Sequence, residues 1–207
     1  MTHLPCSEIY QIDGHFKGGE RERERDMKQF SHFSHRHLLN FTEVEEEDEI
    51  ICSGCELNLS ASAAYSCTKS NCSFTIHTSC FELPQRIRHR SHPKHPLILL
   101  SSPPYSDGEF TCDACGESGV AFTYHCSTCS FDLHVGCASL PESEDCDDHE
   151  HSLTLFYSFP KEEQDSIFIC DVCHCPVAKN CWIYYCKVCN YGTHLDCVTA
   201  QECPDEE

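Results

Sequence analysis

Basic charge is scarce in this chain. Its 207 residues include 14 Lys and Arg against 34 Asp and Glu, a formal net charge of −20 at pH 7. Proteins that grip nucleic-acid backbones use Lys and Arg to displace counterions, so this balance argues against a nucleic-acid partner. It equally disfavours an anionic membrane surface. Long apolar runs are missing too, the longest aliphatic stretch being Leu97–Leu100. A membrane-spanning helix needs roughly 18 or more apolar residues, so no transmembrane segment is expected. Met1 to Lys17 contains no basic region followed by an apolar one, which reads as no secretory leader and an intracellular location, cytoplasm or nucleus. No phosphate loop, kinase signature or hydrolase elbow is present. The expectation is a protein that is not an enzyme.

What the chain has in abundance is cysteine, 20 residues, together with 15 histidines. They fall into one string written three times at a period of roughly 60 residues, and such self-similarity sets the architecture. The string runs early His, CxxC, a second cysteine pair, HxxC and a late Cys or His. The CxxC pairs are Cys52/Cys55, Cys112/Cys115 and Cys170/Cys173. The middle pairs are Cys67/Cys72, Cys126/Cys129 and Cys186/Cys189, and the HxxC pairs are His77/Cys80, His134/Cys137 and His194/Cys197. His37, His95 and His151 are the early histidines, and His89, Cys146 and Cys203 the late ligands. Each unit, at roughly 57–60 residues, is below the ~70–80 at which a hydrophobic core stands comfortably alone, so an added staple is required. Disulfides have no use for histidine at fixed offsets from cysteine, and a reducing compartment keeps thiols free for metal. The inventory therefore points to zinc.

Residues 1–31 carry no hydrophobic period, and the alternating charges from Glu20 to Asp26 read as a disordered charged tail; Cys6 lies there as an idle thiol. The repeats follow as 32–90, 91–147 and 148–207, closely strung but independent units. Acidic stretches, Glu43 to Glu49 and Glu162 to Asp165, read as loops inside repeats. An aromatic stands two residues before the third cysteine (Tyr65, Tyr124, Tyr184) and another two after the fourth (Phe74, Phe131, Tyr191). Both sets are expected to pack a miniature core. Alternating segments such as Phe122-Thr123-Tyr124 read as short strands. A short helix is expected near each HxxC, stopped at Leu83-Pro84 and Leu140-Pro141.

Eight ligands per unit suffice for two closed tetrahedral sites, paired either sequentially or in an interleaved fashion. The order of ligands resembles the C1 zinc domain of protein kinase C, and more particularly the plant divergent C1 (DC1), cysteine/histidine-rich family. The residues that carry the resemblance are His35-Arg36-His37-Leu38, His92-Pro93-Lys94-His95-Pro96-Leu97, Cys129-Ser130-Phe131-Asp132-Leu133-His134-Val135-Gly136-Cys137 and Leu140-Pro141, and it covers 32–207. It implies a small, metal-stabilised α+β fold: three tandem C1-like zinc domains with short β-strands, one short helix each and cross-braced sites. It also implies the interleaved scheme, with each CxxC sharing one site with its HxxC. The second site in each unit would be His37, Cys67, Cys72 and His89; His95, Cys126, Cys129 and Cys146; and His151, Cys186, Cys189 and Cys203. That makes about six Zn2+ per chain. Within His35/His37, His92/His95 and His149/His151 either member can bind, the wider Cys67–Cys72 gap suggests a looser site, and Cys175, Cys181 and His174 offer the third unit another register. His125 reads as a surface or packing residue and His32 as a flank.

Closed sites leave no position for catalytic water, so the metal is expected to be structural and the protein to act as a non-catalytic interaction or adaptor module with protein partners, in intracellular signalling or stress response as the resemblance implies. Binding of diacylglycerol, which the C1 resemblance also implies, is disfavoured. The lipid-binding pattern is replaced by Asp48-Glu49-Ile50-Ile51 and Ala63-Ala64-Tyr65-Ser66. A ubiquitin ligase is disfavoured by ligand order, and a thiol–disulfide oxidoreductase by the absence of a βαβ context for Cys52-Ser53-Gly54-Cys55.

Overall fold

The computed structural model describes residues 28–159 and 168–198. The tail up to residue 27, the Glu162 to Asp165 stretch, Cys6 and Cys203 lie outside them.

Each unit is a four-stranded antiparallel sheet. The first uses β1 (Gln29–His32), β2 (His35–Glu43), β3 (Ala63–Cys67) and β4 (Thr75–His77) in that spatial order. The second uses β5 (Arg86–Ile87), β6 (Leu97–Leu100), β9 (Thr123–Cys126) and β10 (Phe131–His134). The third uses β11 (Ser143–Cys146), β12 (His149–Phe156), β15 (Ile183–Cys186) and β16 (Tyr191–Thr193). Two small ribbons complete the later units: β7 (Phe110–Thr111) with β8 (Ser118–Gly119), and β13 (Phe168–Ile169) with β14 (Pro176–Val177). In the first unit this ribbon shrinks to one bridge, Ile51 to Asn58.

These sheets begin earlier than the sequence reading of the units. Gln29–His32 pairs with β2, Arg86–Ile87 with β6 and Ser143–Cys146 with β12. The strand preceding each histidine pair thus forms the edge of the sheet that follows it. Among the described residues, the helix expected in every unit is found as α1 (Thr78–Phe81) in the first only. Cys137–Ser139 and Asp196–Val198 are single 3-10 turns. An HxxC needs its histidine at a strand end and its cysteine one turn on, and a three-residue turn already meets that need.

Alternation along the strands supplies the core. In β2 and β12 the buried positions include Leu39, Leu153 and Leu155, separated by exposed residues, the period of a strand covered on one face. Leu39, Ile76, Leu97, Leu133 and Leu153 have no exposed surface. One apolar cluster runs from Leu39 to Leu195 through all three units, so they are not the independent beads the short junctions suggest.

The same joint connects successive units twice. The Phe122 N–H donates to the Gly54 carbonyl at 3.1 Å, and the Trp182 N–H to the Ala114 carbonyl at 2.7 Å. Gly54 and Ala114 are the third residues of their CxxC turns. The imidazole of His32 stacks on Phe122 (6.1 Å, 15°), and that of His89 on Trp182 (5.3 Å, 11°). The Tyr124 hydroxyl donates to the Pro84 carbonyl and the Tyr184 hydroxyl to that of Pro141, both at 2.8 Å. Burial of these phenols pushes each up to about 12.

Candidate metal centres

Every repeat gathers its cysteines and histidines into two groups. The first kind, the knuckle centre, joins CxxC to HxxC. Cys52, Cys55, His77 and Cys80 bring their donor atoms within 4.8 Å of one another, as do Cys112, Cys115, His134 and Cys137. In the third repeat, Cys173 Sγ is 3.4 Å and Cys197 Sγ 3.7 Å from His194 Nδ1, and Cys170 adjoins both cysteines.

Local structure explains the convergence. The CxxC closes a tight turn whose next residue takes a left-handed conformation, at Glu56 (φ 64°), Gly116 (φ 81°) and His174 (φ 58°). The HxxC histidine ends or directly follows the last strand of its sheet, and its cysteine lies one turn later. Each histidine presents Nδ1 inward, because its Nε2 faces a backbone carbonyl: Asn58 at 3.2 Å, Ser118 at 3.3 Å and Pro176 at 3.3 Å. Such an outer partner fixes tautomer and ring orientation in metal sites. Cys52 Sγ accepts N–H bonds from Gly54 and His77 (3.3 and 3.4 Å), and Cys112 Sγ from Ala114 and His134 (both 3.4 Å).

These groups cannot all be anionic without a cation among them. Hydrogen bonds from Cys55 and Cys80 hold the Cys52 thiol well below its ordinary range, while the same contacts push Cys80 up. Cys112 and Cys137 divide in the same way. His134, hydrogen-bonded to Cys112 and then Cys115, is raised to about 10.

The second kind, the histidine-pair centre, unites His35, His37, Cys67 and Cys72; His92, His95, Cys126 and Cys129; and His149, His151, Cys186 and Cys189. Both members of each early histidine pair are therefore present. In β2 and β12 the two histidines are two residues apart, and a strand turns such residues to the same face. His35 uses Nε2, 3.2 Å from Cys67 Sγ, and His37 uses Nδ1, 3.4 Å from the same sulfur. Burial, with His37 and Arg36 nearby, lowers the His35 pKa below 6.5 and favours the neutral ring a metal needs. The five-residue step from Cys67 to Cys72 is absorbed by a turn closed between Lys69 and Cys72.

Of the late ligands of the sequence reading, Cys203 lies outside the described residues, and the structure places the other two elsewhere. His89 and Cys146 stand outside these groups. They occupy the same place as His32, three residues before the first histidine of the following pair, and Cys146 lies on β11 opposite His149. His89 accepts from or donates to the Ser91 hydroxyl at 2.7 Å and stacks on Trp182. Its ring has been taken by the joint between repeats. Cys146 is buried, 4.0 Å from the Tyr191 hydroxyl.

The aromatics after the fourth cysteines have a sharper role than core packing. Phe74 stacks on His35 (4.2 Å, 5°), Phe131 on His92 (4.6 Å, 14°) and Tyr191 on His149 (4.3 Å, 9°). Each packs its ring face to face on the first histidine of a pair. Cys181 does not belong to its own repeat's centres. It is buried, and a Cβ placed on Gly116 would stand 2.8 Å from its sulfur, against the second knuckle. His125, rather than facing solvent, is buried and 2.9 Å from Asp132, which also accepts from Tyr105 (2.5 Å) and Thr123 (3.3 Å).

The donor sets fit zinc. A tetrahedral ion with bonds of about 2.3 Å to sulfur and 2.0–2.1 Å to nitrogen separates such donors by about 3.5 Å, and the Cys–His separations run from 3.1 Å to 4.0 Å. His92 Nε2 and His149 Nε2 are buried with no protein partner, at the position where His35 Nε2 meets its cysteines. A buried nitrogen without a partner is costly, and a metal removes that cost.

Comparison with known proteins agrees with this geometry. The C1 domain family model matches residues 33–81, 90–138 and 147–198, most of the chain. A probable nucleoredoxin 1 of Arabidopsis thaliana is 42% identical over 55 residues, 27% of this chain and 9% of that protein. The chain thus covers a small part of that relative's length. No solved structure matches.

Proposed function

The chain belongs to the C1 domain family as a protein of three tandem divergent C1 (DC1) repeats, and from that premise we propose that it is a zinc-stabilised interaction module without catalytic activity. The observation that carries this reading is the closure of the centres. Four Cys and His donors converge in each, and such sets leave no coordination position for water or substrate. The knuckle centres take Cys52, Cys55, His77 and Cys80 and their counterparts, and the histidine-pair centres take both histidines and the middle cysteines of each repeat. This reading gives six zinc ions per chain. Bound zinc would serve folding: it draws together segments whose own apolar cores are small, at an apparent binding free energy of about 10–16 kcal/mol per structural site. The role extends to an adaptor in intracellular signalling, in cytoplasm or nucleus, with protein partners favoured by the charge of −20. Among the described residues no helix is long and apolar enough to cross a membrane.

The name of the Arabidopsis relative raises a second reading, thiol–disulfide exchange. The 55-residue match is about the length of one zinc repeat, as a single shared repeat would give, and thiolates bound to zinc are occupied. Zinc released by acid or a thiol-blocking reagent and counted per chain tests the proposal: six is expected, and clearly fewer than five refutes it. Turnover of a disulfide substrate by the zinc-loaded protein would establish the alternative.

A further inference from the structure

The joint between repeats has a socket and a plug, and the described residues display one socket more than they fill. The plug is the aromatic residue two positions before the recurring tyrosine: Phe122 before Tyr124, Trp182 before Tyr184. The socket is the knuckle of the preceding repeat. A Cβ on Gly54 would lie 3.2 Å from both the Phe122 ring and Cys80 Cβ, so Phe122 is seated where the CxxC turn meets the HxxC cysteine. Ala114 is fully buried beneath Trp182, and Phe122 and Trp182 are each 2% exposed. Side chains under the plug are small, Gly54 and then Ala114.

In the third repeat the corresponding residue is Val172, which is half-buried. Among the described residues no backbone N–H donates to its carbonyl. Beside it opens a cavity of about 510 Å³, lined by Val172, Leu195, Cys197 and Trp182 of the third repeat and by Cys115 and Glu117 of the second. Val172, Leu195 and Cys197 are the counterparts of Ala114, Val135 and Cys137, the wall that Trp182 covers in the second repeat; Leu195 is buried as Val135 is, but Val172 keeps exposed surface where Ala114 has none. Trp182 belongs both to the second joint and to the cavity, so the open socket continues an interface already built twice.

We propose that this socket docks a C1-type zinc repeat of another protein chain, one that offers an aromatic side chain and its backbone N–H two residues before its tyrosine. A second copy of this chain is a poor plug. Its first repeat has Ala63 at that position, two residues before Tyr65, and two copies at −20 each repel. The third joint also differs from the first two, because Cys146 replaces the stacking histidine. It is therefore weaker than the internal joints, as suits a partner that comes and goes. The proposal gives the interaction role a partner class, and it rests on that reading because the socket wall includes the zinc ligand Cys197.

The test gives the full chain the missing plug. Ala63→Trp, with Ala63→Phe as a second form, is compared with wild type by sedimentation at up to about 100 μM, a range that captures micromolar association. Zinc content is measured on every sample, so failure of the zinc reading is seen separately from failure of docking. The expected result is a monomeric wild type, concentration-dependent association of the plug variants at least about tenfold tighter, and its loss when Val172→Lys is added. Zinc-replete plug variants that remain monomeric overturn the proposal, as does association that Val172→Lys leaves unchanged. Wild-type self-association abolished by Val172→Lys overturns the assigned partner in favour of a second copy.

Discussion

The knuckle centres and the histidine-pair centres lie in the same repeats but differ in charge, burial and support. Three thiolates around a divalent ion leave a knuckle centre at −1, while two thiolates and two imidazoles leave the other kind neutral. The charged centre is the more deeply placed: Cys52 and Cys112 are each 1% exposed and Cys170 has no exposed surface, whereas Cys129 and Cys189 stand in solvent. A buried charge needs hydrogen-bonding partners, and the N–H groups aimed at Cys52 and Cys112 supply them. The neutral centre is held instead by a ring stacked on its first histidine. Its position follows from this. The knuckle can sit inside the joint between repeats, and the histidine pair can remain at the open end of a sheet.

Full removal of zinc should break the comparison altogether, because neither kind of centre has a core able to replace it. Loss of native circular dichroism and exposure of Trp182, the only tryptophan, is the expected outcome on chelation. A fold that survives metal-free would contradict it. Next in size, Cys112→Ser should release zinc and loosen both the second repeat and the Trp182 joint, whereas Cys129→Ser should weaken one exposed centre and leave the Trp182 emission in place. Thermal melts with zinc counts on both proteins separate the cases.

Trp182→Ala removes a plug without touching a ligand. Deletion of a large buried aromatic costs about 3–5 kcal/mol, here charged to the union of the second and third repeats. Proteolysis at the junction should quicken while six zinc ions remain bound.

Acid should separate the centres further. His134 is raised from 6.5 to about 10 by its thiolate neighbours. The protonated ring therefore stabilises the metal-free pocket fully below 6.5 and ceases to do so as pH rises through about 10. Zinc must displace that proton, so its hold on the second knuckle weakens as pH falls. Calorimetry in buffers of different ionisation enthalpy should detect the released protons. The smallest effect belongs to Phe131→Leu, which removes the ring behind His92. Loss of an outer support lowers metal affinity by about 10–100-fold, and a chromophoric chelator can measure the change at one centre of the six.

Much of this was legible in the residues alone. The CxxC and HxxC spacings carry their geometry with them, since a tight turn places two thiols on one side and a strand end followed by a turn presents the other two donors. The interleaving came with the family resemblance. What spacing could not tell was where a lone residue outside such a motif would go. His89 and Cys146 sat at plausible distances along the chain for late ligands, and His35 looked like an alternative to His37. Strand periodicity puts His35 and His37 on one face, a signal carried by the residues themselves. The diversion of His89 to Trp182 had no local signal, because its partner lies more than ninety residues away.

The sequence by itself determined that the chain would fold around metal in three units, because ligand type and short-range spacing act within a few bonds. The tertiary structure decided that both histidines of each pair meet the middle cysteines, and how the repeats join. Those outcomes depend on packing between distant segments, where Phe122 and Trp182 bury their rings against turns they never neighbour in the chain.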